Sequence, residues 1–124
     1  MGKGRVAVIG TGGTISAIGR DAFDLQDYDA NRTMLDAAEL LAHCPRAEGD
    51  PDCYTVPFSA VSSTSIAFAE WRRLALLCRE LVDRDPELTG IVITHGTATL
   101  EETAYFLHLT VRVTIPVVLV GAMR

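Results

Sequence analysis

The chain has 124 residues, 48% of them hydrophobic and 22% charged, a balance typical of soluble globular proteins that excludes disorder along its whole length. Eleven basic against sixteen acidic side chains leave a formal net charge of −5. That sign repels a phosphate backbone and argues against nucleic acid as the main ligand.

A chain of this size buries about two thirds of its unfolded surface, enough for one core without metals or cross-links. Cys44, Cys53 and Cys78 are an odd set with no C-x-x-C spacing, so neither a disulfide framework nor a zinc knuckle is expected. Unpaired thiols in a reducing compartment fit better. The first apolar run, Val6–Ile9, meets Gly10 after a few residues, far short of a signal h-region or a membrane span. The expected address is cytoplasmic, with no membrane contact.

Val6–Ile9, Tyr54–Phe58, Ile91–Thr94 and Val117–Val120 are short apolar runs bounded by Gly, Pro or Ser and rich in β-branched residues. They read as buried parallel strands. Between the first two, a weak helix is expected from about Met34 to Ala42. Phe68, Trp71, Leu74, Leu77 or Cys78, and Leu81 then fall on one stripe of an amphipathic helix that ends near Asp85-Pro86. A third helix is expected from Thr99, because Thr99 and Glu102 stand at capping-box spacing. The regular alternation of strand and helix predicts an α/β fold, a mainly parallel open sheet with helices on both faces. Residues 17–31 and 45–52 lack periodicity: the first has the makings of a lid, the second of a surface connection. The chain stops just past a strand, where such a sheet normally turns into its next crossover, and this reads as a truncation with an open edge at Val117–Val120.

In a parallel sheet, ligands bind at the carboxyl ends of the strands. Here that edge receives Gly10-Thr11-Gly12-Gly13-Thr14, then Ser62-Ser63-Thr64-Ser65, then Thr94-His95-Gly96-Thr97-Ala98-Thr99. Glycines and small hydroxyl residues allow close approach and supply the donors that a small ligand with carbonyl or carboxylate oxygens needs. A dinucleotide fingerprint fails because Ile15 holds the last glycine position and the next strand starts about 45 residues on. A Walker loop fails for lack of a lysine after Gly13.

The runs Val8–Ser16, Ile93–Leu107 and Pro116–Arg124 together resemble the N-terminal domain of the bacterial L-asparaginases, within the asparaginase/glutaminase amidohydrolase family. The likeness spans nearly all of residues 1–124 and is weakest between Ala17 and Tyr54. The resemblance implies a domain cut short, its C-terminal partner absent, and a site incomplete and inactive in this chain alone. It implies that Thr14 is the nucleophile and Thr97 the second catalytic threonine. Tyr28 matches the lid tyrosine by position, with a half-buried loop aromatic as the competing reading. Ser63 and Thr64 match the loop holding the substrate carboxylate, with a helix cap as the competing reading for the serine; Gly13, Gly96 and Ala98 complete the binding loops. The family places an aspartate where this chain has Ala98, a carboxylate that receives the substrate's α-ammonium. Its catalytic lysine comes from later sequence, and Lys3, the one lysine here, precedes the first strand. Glu101 and Glu102 are better suited to the first turn of a helix, and His95 to a structural hydrogen bond. The implied substrate is a small amino-acid amide, asparagine or glutamine, hydrolysed without metal or organic cofactor in a homo-oligomer. A non-catalytic amino-acid-binding relative, or an amidotransferase-type member, is the alternative.

Overall fold

The structure, a computed structural model, describes residues 3–27 and 34–122. Four strands, β1 (Arg5–Gly10), β2 (Asp52–Val56), β3 (Leu88–Thr94) and β4 (Val117–Val120), form one sheet in the order β2-β1-β3-β4. Every pairing is parallel. The helices are α1 (Ala37–Ala42), α2 (Phe68–Arg84) and α3 (Leu100–Thr110), with single 3₁₀ turns at Thr14–Ser16 and Ser63–Ser65.

From β1 the chain moves outward to β2, then doubles back past β1 to β3 and on to β4. Crossovers of one hand that run in opposite directions put their helices on opposite faces, and the reversal opens a crevice between β1 and β3. Register divides the sheet accordingly. Ala7, Ile9, Ile91 and Ile93 are fully buried on the face shared with Leu74, Ala75 and Cys78 of α2 and Leu107 of α3. Leu74 is 0% exposed, and burying such a side chain stabilises the fold by about 1.5–3 kcal/mol. On the other face α1 packs on β1 and β2, with Ala37 directly against Gly10. Val118 and Val120 stay 48% and 38% exposed beyond the reach of α1, so the apolar alternation of the edge strand is only half used.

Three local expectations shift. The second strand starts at Asp52 and ends at Val56, because Pro57 has no N–H to continue the ladder. The first helix starts at Ala37, where Asp36 and Glu39 exchange both capping-box hydrogen bonds at 2.8 and 2.9 Å; Met34 instead bridges to Ala17. The third helix does begin after Thr99, but Thr99 gives it no side-chain cap. α2 follows its stripe through Arg84 and stops ahead of Pro86, its start secured by the Ala67 N–H donating to Glu70 Oε2 at 3.0 Å. The cysteines are free, Cys44 exposed, Cys53 half-buried and Cys78 buried. Among the described residues, no helix is long and apolar enough to cross a membrane.

Candidate active site

The loops leaving β1 and β3 meet at the crevice where the strand order reverses. Thr11 ties them together: its backbone N–H and its hydroxyl both donate to the Thr94 carbonyl, at 3.0 and 2.9 Å. The Thr11 carbonyl in turn accepts from Val61 N–H at 2.9 Å, which draws in the loop after β2. Gly12 and Gly13 follow with φ of 95° and 84°, a left-handed region that side chains other than hydrogen rarely adopt.

Contact between the loops is tight enough to exclude a methyl group. A Cβ on Gly13 would lie 2.2 Å from Gly96 Cα, and one on Gly96 would lie 2.6 Å from Ser63 Oγ and 3.1 Å from Gly13 Cα. Gly13, Gly96 and Ser63, three of the residues expected at the site, therefore touch in a row. Thr14, half-buried, opens the 3₁₀ turn directly after Gly13, and the Gly13 carbonyl accepts from Ser16 N–H at 3.0 Å. Thr97 and Ala98 follow Gly96 and are exposed, Thr97 close to Gly121 at the end of β4. Thr64 is exposed with its hydroxyl 2.9 Å from that of Ser62, whereas Ser63 is 6% exposed. Tyr28 lies outside the described residues.

One hydroxyl expected to act otherwise is committed to scaffolding. Thr99 donates to the Ser63 carbonyl at 2.7 Å, so it joins the second and third loops instead of closing a capping box. Glu101 and Glu102 still occupy the first turn of α3, where carboxylates oppose the helix dipole. His95 is 0% exposed, its Nδ1 2.7 Å from the Gly96 carbonyl and its Nε2 2.9 Å from Thr103 Oγ1. The expectation of a hydrogen-bonded structural histidine holds. Burial lowers its pKa below the usual imidazole value, with the Gly96 carbonyl and the Glu102 charge opposing that shift.

Sequence reading missed the clamping role of Thr11 and the bond between Trp71 Nε1 and Thr103 Oγ1 at 2.8 Å. For Trp71 a signal existed: an indole placed on a core stripe has an N–H that needs a partner. For Thr11 there was none, because its partner is 83 positions away.

Outside the crevice, Asp24 accepts from Arg20 N–H and Nε and from Asp27 N–H, at 2.9, 3.2 and 3.0 Å. The Arg20 backbone bond leads in holding its carboxyl below the ordinary aspartate range. At the opposite sheet edge, burial and then the Asp85 charge raise the Tyr54 phenol. No group of three His, Cys, Asp or Glu among the described residues could hold a metal ion.

The sequence model of the family described as "Asparaginase, N-terminal" matches residues 5–124. The chain belongs to the asparaginase family. It is 38% identical over 122 residues to a glutaminase-asparaginase of Acinetobacter glutaminasificans, covering 98% of this chain and 36% of that protein. It is 36% identical over 119 residues to L-asparaginase 2 of Bacillus subtilis, covering 96% and 31%. Among solved structures, a probable cytoplasmic L-asparaginase from Campylobacter jejuni superposes with a TM-score of 0.79 at 38% identity, over 98% of this chain and 33% of that one. A probable periplasmic L-asparaginase of Haemophilus influenzae is 35% identical over 119 residues, covering 96% and 32%. The chain thus spans about a third of the length of the relatives it matches.

Proposed function

We propose that this chain is the N-terminal part of a two-domain amidohydrolase that cleaves the side-chain amide of asparagine or glutamine. The observation that carries the reading is the contact of Gly13 with Gly96, which brings the loops of Thr14 and Thr97 to one point of the crevice with room for only hydrogen on each glycine. In this reading Thr14 Oγ attacks the amide carbon, the C–N bond breaks, and ammonia leaves with the proton of the hydroxyl. Water then cleaves the Thr14 ester, giving the acid and restoring the threonine. A threonine hydroxyl is a weak nucleophile near neutral pH and needs a polarising partner, the part given to Tyr28, while Thr97 serves the second catalytic position. Backbone N–H groups beside glycines reach a developing oxyanion, a contact worth about 2.7–4 kcal/mol in a comparable hydrolase. Ser63, Thr64, Gly13, Gly96 and Ala98 line the substrate, Ser63 and Thr64 at its carboxylate. The reaction takes place in a cytoplasmic homo-oligomer that supplies the lysine, and an acidic partner for Tyr28, from later sequence.

A second reading, a non-catalytic amino-acid-binding relative, is favoured by one observation: Ala98, exposed in the third loop, stands where the resemblance places an aspartate for the α-ammonium. Ammonia release from both amides by the whole protein, with and without Thr14→Ala, tests the first reading. Activity that survives the substitution removes Thr14 as nucleophile. Saturable heat on titration with aspartate or asparagine, without turnover, establishes the second.

A further inference from the structure

Beyond the residues given chemical roles, a polar chain runs from α2 through α3 into the third loop. Trp71 Nε1 donates to Thr103 Oγ1 at 2.8 Å, Thr103 Oγ1 lies 2.9 Å from His95 Nε2, and His95 Nδ1 lies 2.7 Å from the Gly96 carbonyl. Its two ends fix its direction, since an indole N–H can only donate and a carbonyl can only accept. The Thr103 hydroxyl accepts from Trp71 and gives its own proton to Nε2. His95 is then the Nδ1–H tautomer, donating to Gly96. Thr103 and His95 are both 0% exposed, and every member of the chain has its partner.

Apolar side chains of similar volume at positions 71, 95 and 103 would fill this space without desolvating three polar side chains, but would leave the Gly96 carbonyl buried without its donor. What the polar chain adds lies at its end. Position 96 must be glycine, because a Cβ there would lie 2.6 Å from Ser63 Oγ, and glycine is the residue least able to hold its own backbone angles. The tether acts on the Gly96 carbonyl, which belongs to the planar peptide linking Gly96 to Thr97. In a trans peptide the carbonyl and the following N–H point in opposite directions, and the described chain has no cis bonds. Holding the carbonyl toward the imidazole therefore turns the Thr97 N–H away from it.

We propose that His95, held in one tautomer by Thr103 and Trp71, is a positioning residue that fixes the Gly96–Thr97 peptide plane against the Gly13 loop and so sets the orientation of Thr97 in amide hydrolysis. The proposal rests on the function read above. It deepens that reading by assigning a task to a buried histidine that does not touch the substrate.

Asparagine and glutamine side chains separate the two halves of the imidazole. In His95→Asn the amide nitrogen takes the place of Nδ1 and keeps the bond to Gly96; in His95→Gln the amide oxygen takes the place of Nε2, accepts from Thr103 and leaves the Gly96 carbonyl without its donor. Both variants lose one buried hydrogen bond, so a purely structural role predicts equal effects. The positioning role predicts that His95→Asn keeps kcat within about threefold while His95→Gln loses about tenfold or more, with KM nearly unchanged in each. Thr103→Ser should behave as the parent and Thr103→Val should lower kcat. Amide hydrogen exchange across residues 95–99 in the whole protein supplies a readout independent of turnover, faster in His95→Gln than in His95→Asn. Equal kcat and equal exchange in the two His95 variants overturn the proposal. Activity unaffected by Thr14→Ala overturns the proposed function instead, and the exchange comparison still decides whether His95 tethers the loop.

Discussion

Replacing Gly13 by alanine imposes two separate costs that the structure allows to be told apart. The first is conformational: at φ of 84° and ψ of −174°, a region essentially confined to glycine, an L side chain costs about 1–3 kcal/mol. The second is steric: the new Cβ would stand 2.2 Å from Gly96 Cα and 2.4 Å from Gly96 N, so the two loops must part by roughly 1.3–1.8 Å to reach ordinary contact. Overpacking of that kind costs about 1–3 kcal/mol in stability, and a displacement of about 1 Å between reacting groups costs on the order of 100-fold in rate. Gly49 is the control, since it has φ of 97° but nothing within 4 Å of an added Cβ. Gly49→Ala should therefore lose only the conformational part, about 1–2 kcal/mol, and keep full ammonia release. Gly13→Ala should lose roughly 2–6 kcal/mol and on the order of 100-fold in kcat. Denaturant titration and a coupled ammonia assay on the whole protein measure both quantities. If the two variants lose equal stability and Gly13→Ala keeps its rate, the close approach of the loops has no part in assembling the site.

Ala98→Asp should raise kcat/KM for L-asparagine by about 30-fold or more, because leaving one member of a charge pair unmatched costs about 2–5 kcal/mol; no gain shows that another acid already meets the α-ammonium. The same substitution, placed just before α3, should leave the melting temperature level or slightly raised. Stability should fall as pH drops through and below the ordinary histidine range, because burial keeps His95 neutral and the unfolded chain takes up the proton that the fold refuses; a melting temperature that is flat there in the parent and in His95→Asn alike contradicts that sign. Cys78, its thiol pushed up to about 11 by burial, should resist alkylation at pH 8 while exposed Cys44 reacts, as mass spectrometry of tryptic peptides will report.

The pattern of β-branched runs marked all four strands, and the 3.6-residue stripe marked α2, since both signals depend on neighbours within a few residues. Strand order was not legible, because it depends on the direction of each crossover and not on the composition of any strand. The positive φ at Gly12 and Gly13 could be anticipated from residue type. Their collision partners, Val61 and Gly96, could not, as they come from remote parts of the chain. Thr99 shows how a sound local rule is overridden: its spacing to Glu102 suits a capping box, yet the Ser63 carbonyl lies within 2.7 Å and takes the hydroxyl. A cap contributes about 1 kcal/mol, no more than an alternative hydrogen bond that also joins two loops, so tertiary context decides.

That competition explains why the sheet edge carries so many hydroxyl residues. Thr11 fastens the first loop to β3, Thr99 fastens the third loop to the second, and Thr103 carries the tether from Trp71 to His95. Thr11 and Thr99 donate, and Thr103 both accepts and donates, within the small space that glycines leave, where a longer polar side chain would force the loops apart. Thr14 and Thr97 stand one residue beyond the two glycines in contact. The closeness of those glycines, maintained by the scaffolding threonines, brings the loops of the two proposed catalytic threonines within reach of one substrate. A site assembled in this way is sensitive to volume before it is sensitive to charge, and this ranks Gly13→Ala ahead of any exposed-charge substitution among the described residues as the more damaging change.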